Sequence, residues 1–111
     1  MEQRIITTAT RTRLLALLAV GICDALREET IDVLEAERLL FSPRAMELSS
    51  SCGDRIVELI HMGTELDDIK SLVPDDYEST LERIRTLAME CLVDQKDSAD
   101  PQEGNWTYSI F

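Results

Sequence analysis

Cations are scarce in this chain. Eleven Lys and Arg stand against 22 Asp and Glu, leaving a net charge of −11 over 111 residues. Non-specific nucleic-acid affinity comes from Lys and Arg displacing condensed counterions, so a chain this acidic is a poor phosphate binder unless its basic residues cluster. One small cluster exists, Arg4, Arg11 and Arg13, which gives residues 1–13 a net +2 and leaves −13 for the remainder. It reads as a solvated N-terminal arm. A helix-turn-helix reader is excluded on the same ground: the helix after Gly63-Thr64 carries Glu65, Asp67 and Asp68 where phosphate contacts need cations.

Histidine is scarcer still, with His61 alone. There is no HExxH, no GxSxG and no glycine-rich phosphate loop, so neither a metalloprotease, a serine hydrolase nor a nucleotide-binding loop is indicated. Glu58 and Glu65 flank His61, but a general base also needs a substrate cleft, and His61 reads as a helix-end residue meeting the C-terminal dipole. The three cysteines, Cys23, Cys52 and Cys91, are an odd number without zinc-type spacing. Free thiols point to a reducing cytoplasm. Cys23 and Cys91 sit in apolar helical contexts and read as small buried hydrophobes. Cys52 follows three serines at a helix start, where a thiol can gain nucleophilicity, although Asp54 opposes that. His61 cannot activate it along one helix, since nine residues rise about 13.5 Å.

No apolar run is long enough to cross a membrane: Leu14 to Cys23 is about half the required length. Arg11 and Arg13 before that run imitate a secretory signal, but Ile22 stands before Cys23 and no A-x-A site follows, so a buried first helix is expected. What the chain does have is helical patterning. At this size one core suffices without disulfides or metal. We expect an all-α bundle of about five helices, approximately 9–27, 30–41, 43–48, 54–62, 65–73 and 76–94, the third being a short turn. Leu14 to Leu26 is apolar nearly all round and is expected at the centre of the fold.

Thr30 offers an N-cap, with Asp32 in the first turn; Ser42-Pro43 ends one helix and starts the next; Gly63 ends a helix and Thr64 caps another. Leu66, Ile69, Leu72 and Val73 form the expected buried side of that next helix, and Asp75 with Glu78 boxes the start of the last. The last helix carries its apolar stripe at Tyr77, Leu81, Ile84, Ala88 and Cys91. Residues 1–94 form a single helical domain, and 95–111 a polar linker ending in an aromatic tail. Trp106, Tyr108 and Phe111 are three of the chain's five aromatics, packed into its last six residues, and such area is expected to dock, on the chain's own body or on a partner. Alternation of Trp106, Tyr108 and Ile110 also suits strand addition to a sheet edge.

The densest feature is acidic. Glu65, Asp67, Asp68, Asp75, Asp76 and Glu78 share fourteen residues with the single Lys70. Helix-dipole stabilisation accounts for part of the pattern, and no calcium-loop spacing is present. A surface that steers a basic protein remains. The segments ERLLFSP at 37–43 and ELIHMGTELDDI at 58–69 resemble a family of short, functionally uncharacterised bacterial all-α proteins, a resemblance that implies an α fold and a bacterial cytoplasmic setting but transfers no functional residue. The leading expectation is a non-enzymatic interaction module, an acidic inhibitor or immunity-like protein, binding a basic partner through Glu65, Asp67, Asp68, Asp75, Asp76, Trp106, Tyr108 and Phe111. No cofactor, metal, nucleic acid or membrane is called for. Homo-oligomerisation through helices or tails is the alternative, and a thiol enzyme or redox sensor at Cys52 the third.

Overall fold

The computed structural model describes residues 7–94 and 96. Thr7 leaves extended backbone, its hydroxyl oxygen accepts the Thr10 N–H at 3.2 Å, and α1 (Thr8–Arg27) follows. Its end is a Schellman closure: the Thr30 N–H reaches the Ala25 carbonyl and the Glu29 N–H the Leu26 carbonyl, with Glu29 left-handed at φ 59°. The Thr30 hydroxyl donates to the same Ala25 carbonyl at 3.1 Å. Thr30 therefore closes α1 and does not cap the next helix. Asp32 caps α2 (Val33–Leu39), accepting the Glu35 N–H at 2.8 Å, so α2 is shorter than the sequence suggests at both ends.

Ser42-Pro43 acts as expected. Ser42 accepts the Ala45 N–H and Pro43 opens α3 (Pro43–Leu48), its missing N–H falling where no helical partner exists. The serine segment holds a 3-10 turn, Ser50–Cys52, before Gly53 turns the chain at φ 101° into α4 (Asp54–Thr64). Gly63 does not end α4; it lies inside it. Its role is room, because a Cβ there would stand 2.2 Å from Cγ of Phe41. Nor does Thr64 cap: its hydroxyl donates to the His61 carbonyl at 2.6 Å, and Glu65 takes the N-cap position of α5 (Leu66–Leu72) without a side-chain bond.

Pro74–Asp76 forms a second 3-10 turn that leads into α6 (Tyr77–Asp94). Asp75 thus lies within that turn and not at the helix cap, while the hydroxyls of Ser79 and Thr80 donate to the Asp76 carbonyl. The architecture is an all-α bundle, with no strand among the described residues. α1 and α6 pack antiparallel as its principal pair, and α4 lies against α6. The register is fixed at both ends: Arg27 pairs with Glu78 and Glu82, Arg85 with Asp24, and Arg13 donates to the Leu92 carbonyl at 2.7 Å. Arg13 is therefore no solvated arm residue; it satisfies an orphan carbonyl at the C-terminal end of α6.

The core is Phe41, Ile56, Leu59, Ile60, Leu66, Leu81 and Ile84, each essentially without exposure. Burial of each contributes roughly 1.5–3 kcal/mol relative to leaving it in water. The α6 stripe is as read, with Leu81, Ile84, Ala88 and Cys91 buried and Tyr77 packed partly against the core. Two expectations fail. α1 is not wrapped on all sides, since Leu17 is 53% and Leu18 38% exposed; and Leu72 and Val73 point outward at 77% and 48%.

Candidate interaction surface

α5 is only seven residues, about 10 Å long, and its two ends carry the acidic groups. Asp67 and Asp68 occupy its first turn, where carboxylates offset the helix dipole, and Asp75 and Asp76 form the 3-10 turn beyond its far end. All four are exposed, as is Glu65. Between them stand Leu72 and Val73, the two apolar residues that the structure turns outward. Asp68 and Leu72 are four apart and share a helix face. Along the chain, two exposed apolar residues are thus flanked on both sides by exposed carboxylates.

Sequence reasoning placed the acids and missed the exposed pair. One signal was available: Val73 precedes Pro74, and a residue before proline is pushed out of the helical region. Val73 has φ −137° and ψ 63°, so it lies past the last turn of α5, where no further turn can fold it back onto the core. For Leu72 the signal is absent, because its burial depends on which neighbours α5 meets.

The distribution of cations sharpens the picture. Arg27, Arg55 and Arg85 are all engaged with carboxylates on the α1–α6 and α4–α6 seams, Arg55 with Glu90 and Asp94. His61 Nε2 lies 3.8 Å from Glu65, on a helix that runs unbroken through Gly63. Lys70 sits over the Tyr77 ring at 5.3 Å from its centroid. Among the described residues Asp67, Asp68, Asp75 and Asp76 have no cationic partner. Trp106, Tyr108 and Phe111, the remaining candidates, lie outside the described residues, as does Arg4.

The thiols are free and buried. Burial, reinforced by the neighbouring Asp24 carboxylate, pushes the Cys23 thiol up to about 12. Burial also raises Cys91, partly countered by Arg55. Both are held as thiols, the form that is neither nucleophile nor ligand. Cys52 and Cys91 line one small cavity of about 160 Å³ with Thr12, Asp54, Arg55 and Asp94. The Thr12 hydroxyl donates to the Thr8 carbonyl at 2.8 Å and lies 3.4 Å from that of Cys52, so it ties the 3-10 turn to α1. His61 lines none of this cavity, so the imidazole is not placed beside Cys52 there. No group of three or more His, Cys, Asp or Glu among the described residues is arranged to hold a metal, and no described helix is long and apolar enough to cross a membrane. Two larger depressions, of about 420 and 440 Å³, run along the outer face of α6 and are open to solvent; Arg55, Arg85, Met89 and Val93 line the first, Glu82, Arg83 and Leu87 the second.

With this geometry in view, comparison with known proteins is decisive at the level of family. A family model described as a protein of unknown function (DUF3969) matches residues 7–108. The chain belongs to that family. Membership in a family of unknown function is consistent with the expectation of an uncharacterised family, and the match spans every described helix and continues past Asp94 through Trp106 and Tyr108. No curated protein and no solved structure matches the chain.

Proposed function

We propose that this DUF3969 protein is a non-enzymatic interaction module that docks a basic protein through the acidic corner formed by α5 and the turn after it. The observation that carries the reading is a pair of exposed apolar side chains, Leu72 and Val73, flanked in the chain by exposed Asp67, Asp68, Asp75 and Asp76, none of which meets a cation among the described residues. Uncompensated carboxylates steer an oppositely charged partner, and an exposed apolar pair gives the encounter something to bury. Glu65 is exposed on the same corner and lies 3.8 Å from His61 Nε2. In this role the protein resembles acidic inhibitors and immunity-like proteins in its physics. Three unpaired thiols favour a reducing compartment, and the family resemblance favours the bacterial cytoplasm.

The test is a comparative capture. Wild-type protein and two variants, Asp67→Asn/Asp68→Asn/Asp75→Asn/Asp76→Asn and Leu72→Glu, are immobilised and challenged with native lysate at increasing salt. The reading expects one basic protein that wild type retains, that salt releases, and that both variants fail to hold while keeping wild-type helicity. Equal capture by all three proteins, or capture indifferent to salt, refutes it.

A further inference from the structure

Helix α1 presents an outward face of Leu14, Leu17, Leu18, Gly21 and Ala25, spaced at the three-to-four residue interval of one helix side. Asp24 borders it and is turned to Arg85. Leu17 and Leu18 are exposed, and no described element covers them. An uncharged strip on an otherwise acidic protein calls for an occupant. At its centre is a glycine in mid-helix, a residue that costs stability there relative to alanine.

The molecule supplies its own comparison. Gly63 also lies inside a helix, and its cost has a visible cause, the Phe41 ring resting where a Cβ would be. A Cβ on Gly21 meets nothing described within 4 Å. Two of the chain's five aromatics, Phe41 and Tyr77, are in the described body; the other three are Trp106, Tyr108 and Phe111. We propose that the C-terminal segment of this same chain, residues 106–111, seats on the outward face of α1 with an aromatic ring over Gly21. This inference is independent of the acidic corner.

The point of departure fits. α6 ends at Asp94, and the Leu92 carbonyl is bonded to Arg13, one residue before the apolar strip begins at Leu14. The chain thus leaves α6 at the end of the strip. Twelve further residues reach Trp106, up to about 40 Å of extended chain, whereas Gly21 stands only about 12 Å along the helix axis from Arg13. The family match spans the body and runs into the tail as far as Tyr108. Aromatic rings gain much area against Leu17 and Leu18, and a glycine lets a ring approach the helix backbone.

Trp106 is the sole tryptophan, so emission under tryptophan-selective excitation of the full chain reports this segment and not Tyr77. In the native protein we expect blue-shifted emission and acrylamide quenching several-fold weaker than in the urea-unfolded chain, both unchanged on dilution. Leu18→Glu and, separately, Leu17→Lys move the emission to the unfolded value without loss of helicity. Gly21→Ala lowers the melting temperature and red-shifts Trp106, although alanine is the better helix former. Native emission equal to that of the unfolded chain overturns the proposal. So does emission that ignores the α1 variants, or Gly21→Ala raising the melting temperature with the spectrum intact. A shift that appears only with concentration, matched by a dimer in sedimentation, places the face against a second copy and overturns it equally.

Discussion

The Phe41 ring occupies the volume that any side chain on Gly63 requires: a Cβ there would lie 2.2, 2.4 and 2.6 Å from three ring atoms. Two effects compete in Gly63→Ala. Alanine favours the helix by about 1 kcal/mol, and overpacking a fixed core costs about 1–3 kcal/mol or more. The clash wins, because the atoms met are Cγ and both Cδ, the ring's anchored side and not a flexible tip. We expect net destabilisation by urea unfolding, partly reversed by adding Phe41→Leu. A gain in stability from Gly63→Ala would show that the ring can move aside.

That pair also explains where sequence reading stopped. A glycine that ends a helix and one that admits a ring inside it look alike along the chain, so Gly63-Thr64 reads as a stop although α4 continues through both. Thr30 and Asp32 are equally capable caps, and only the fold of the preceding helix end assigns one to each task. The long α6 was legible because four buried residues recur on one side of eighteen, and α3 because Ser42-Pro43 fixes a start by chemistry local to two residues. The acids of the corner were legible as composition. Of the apolar pair, Val73 was marked by the proline after it and Leu72 was not, since an apolar residue in a seven-residue helix carries no mark of which way the tertiary fold turns it.

At the end of α1, Glu29 holds a left-handed backbone that disfavours any side chain. It also places a negative charge beside the negative end of the helix dipole. Glu29→Gly removes both penalties, and we expect about 1 kcal/mol of added stability in chemical denaturation. No change in midpoint would mean that the Schellman closure by Thr30 already absorbs the strain.

Cys23 gives the protein an alkaline weakness. Its thiol ordinarily titrates near 9.0 and is pushed up to about 12 by burial and Asp24. Below the ordinary value both folded and unfolded forms keep the proton, and stability is unaffected. Above it the unfolded chain releases a proton that the folded one retains, so stability falls as pH rises through that window, at up to about 1.4 kcal/mol per pH unit. Cys91 and Tyr77 are raised by burial as well and act in the same direction. Urea midpoints measured across the alkaline range should decline, and Cys23→Ala should flatten the slope. An unchanged slope in that variant would assign the effect to the other two groups.

Thiol labelling separates structure from reactivity. Cys23 is fully buried and Cys52, which lines the small cavity together with Cys91, retains 9% exposure. With an aromatic disulfide reagent we expect Cys52 to react first but slowly, and all three thiols to react together on unfolding. Fast stoichiometric labelling of Cys52 in the native protein would revive a thiol-dependent activity.

Arg55 and Ile56 are chain neighbours that hold α4 in different ways. Arg55 bridges to Glu90 and Asp94 on α6, but all three side chains are about half exposed. Surface pairs of this kind are screened by water and salt and contribute little, here aided by the guanidinium offsetting Asp94 at the unfavourable end of the α6 dipole. Ile56 has no exposure, and truncating such a residue costs about 2–5 kcal/mol through lost burial and the cavity left behind. We therefore expect Ile56→Ala to lower the denaturation midpoint severalfold more than Arg55→Ala, with only the latter's effect shrinking as salt is added. Comparable losses from the two variants would mean that the ionic seam between α4 and α6, and not the apolar core beneath it, holds this helix in place.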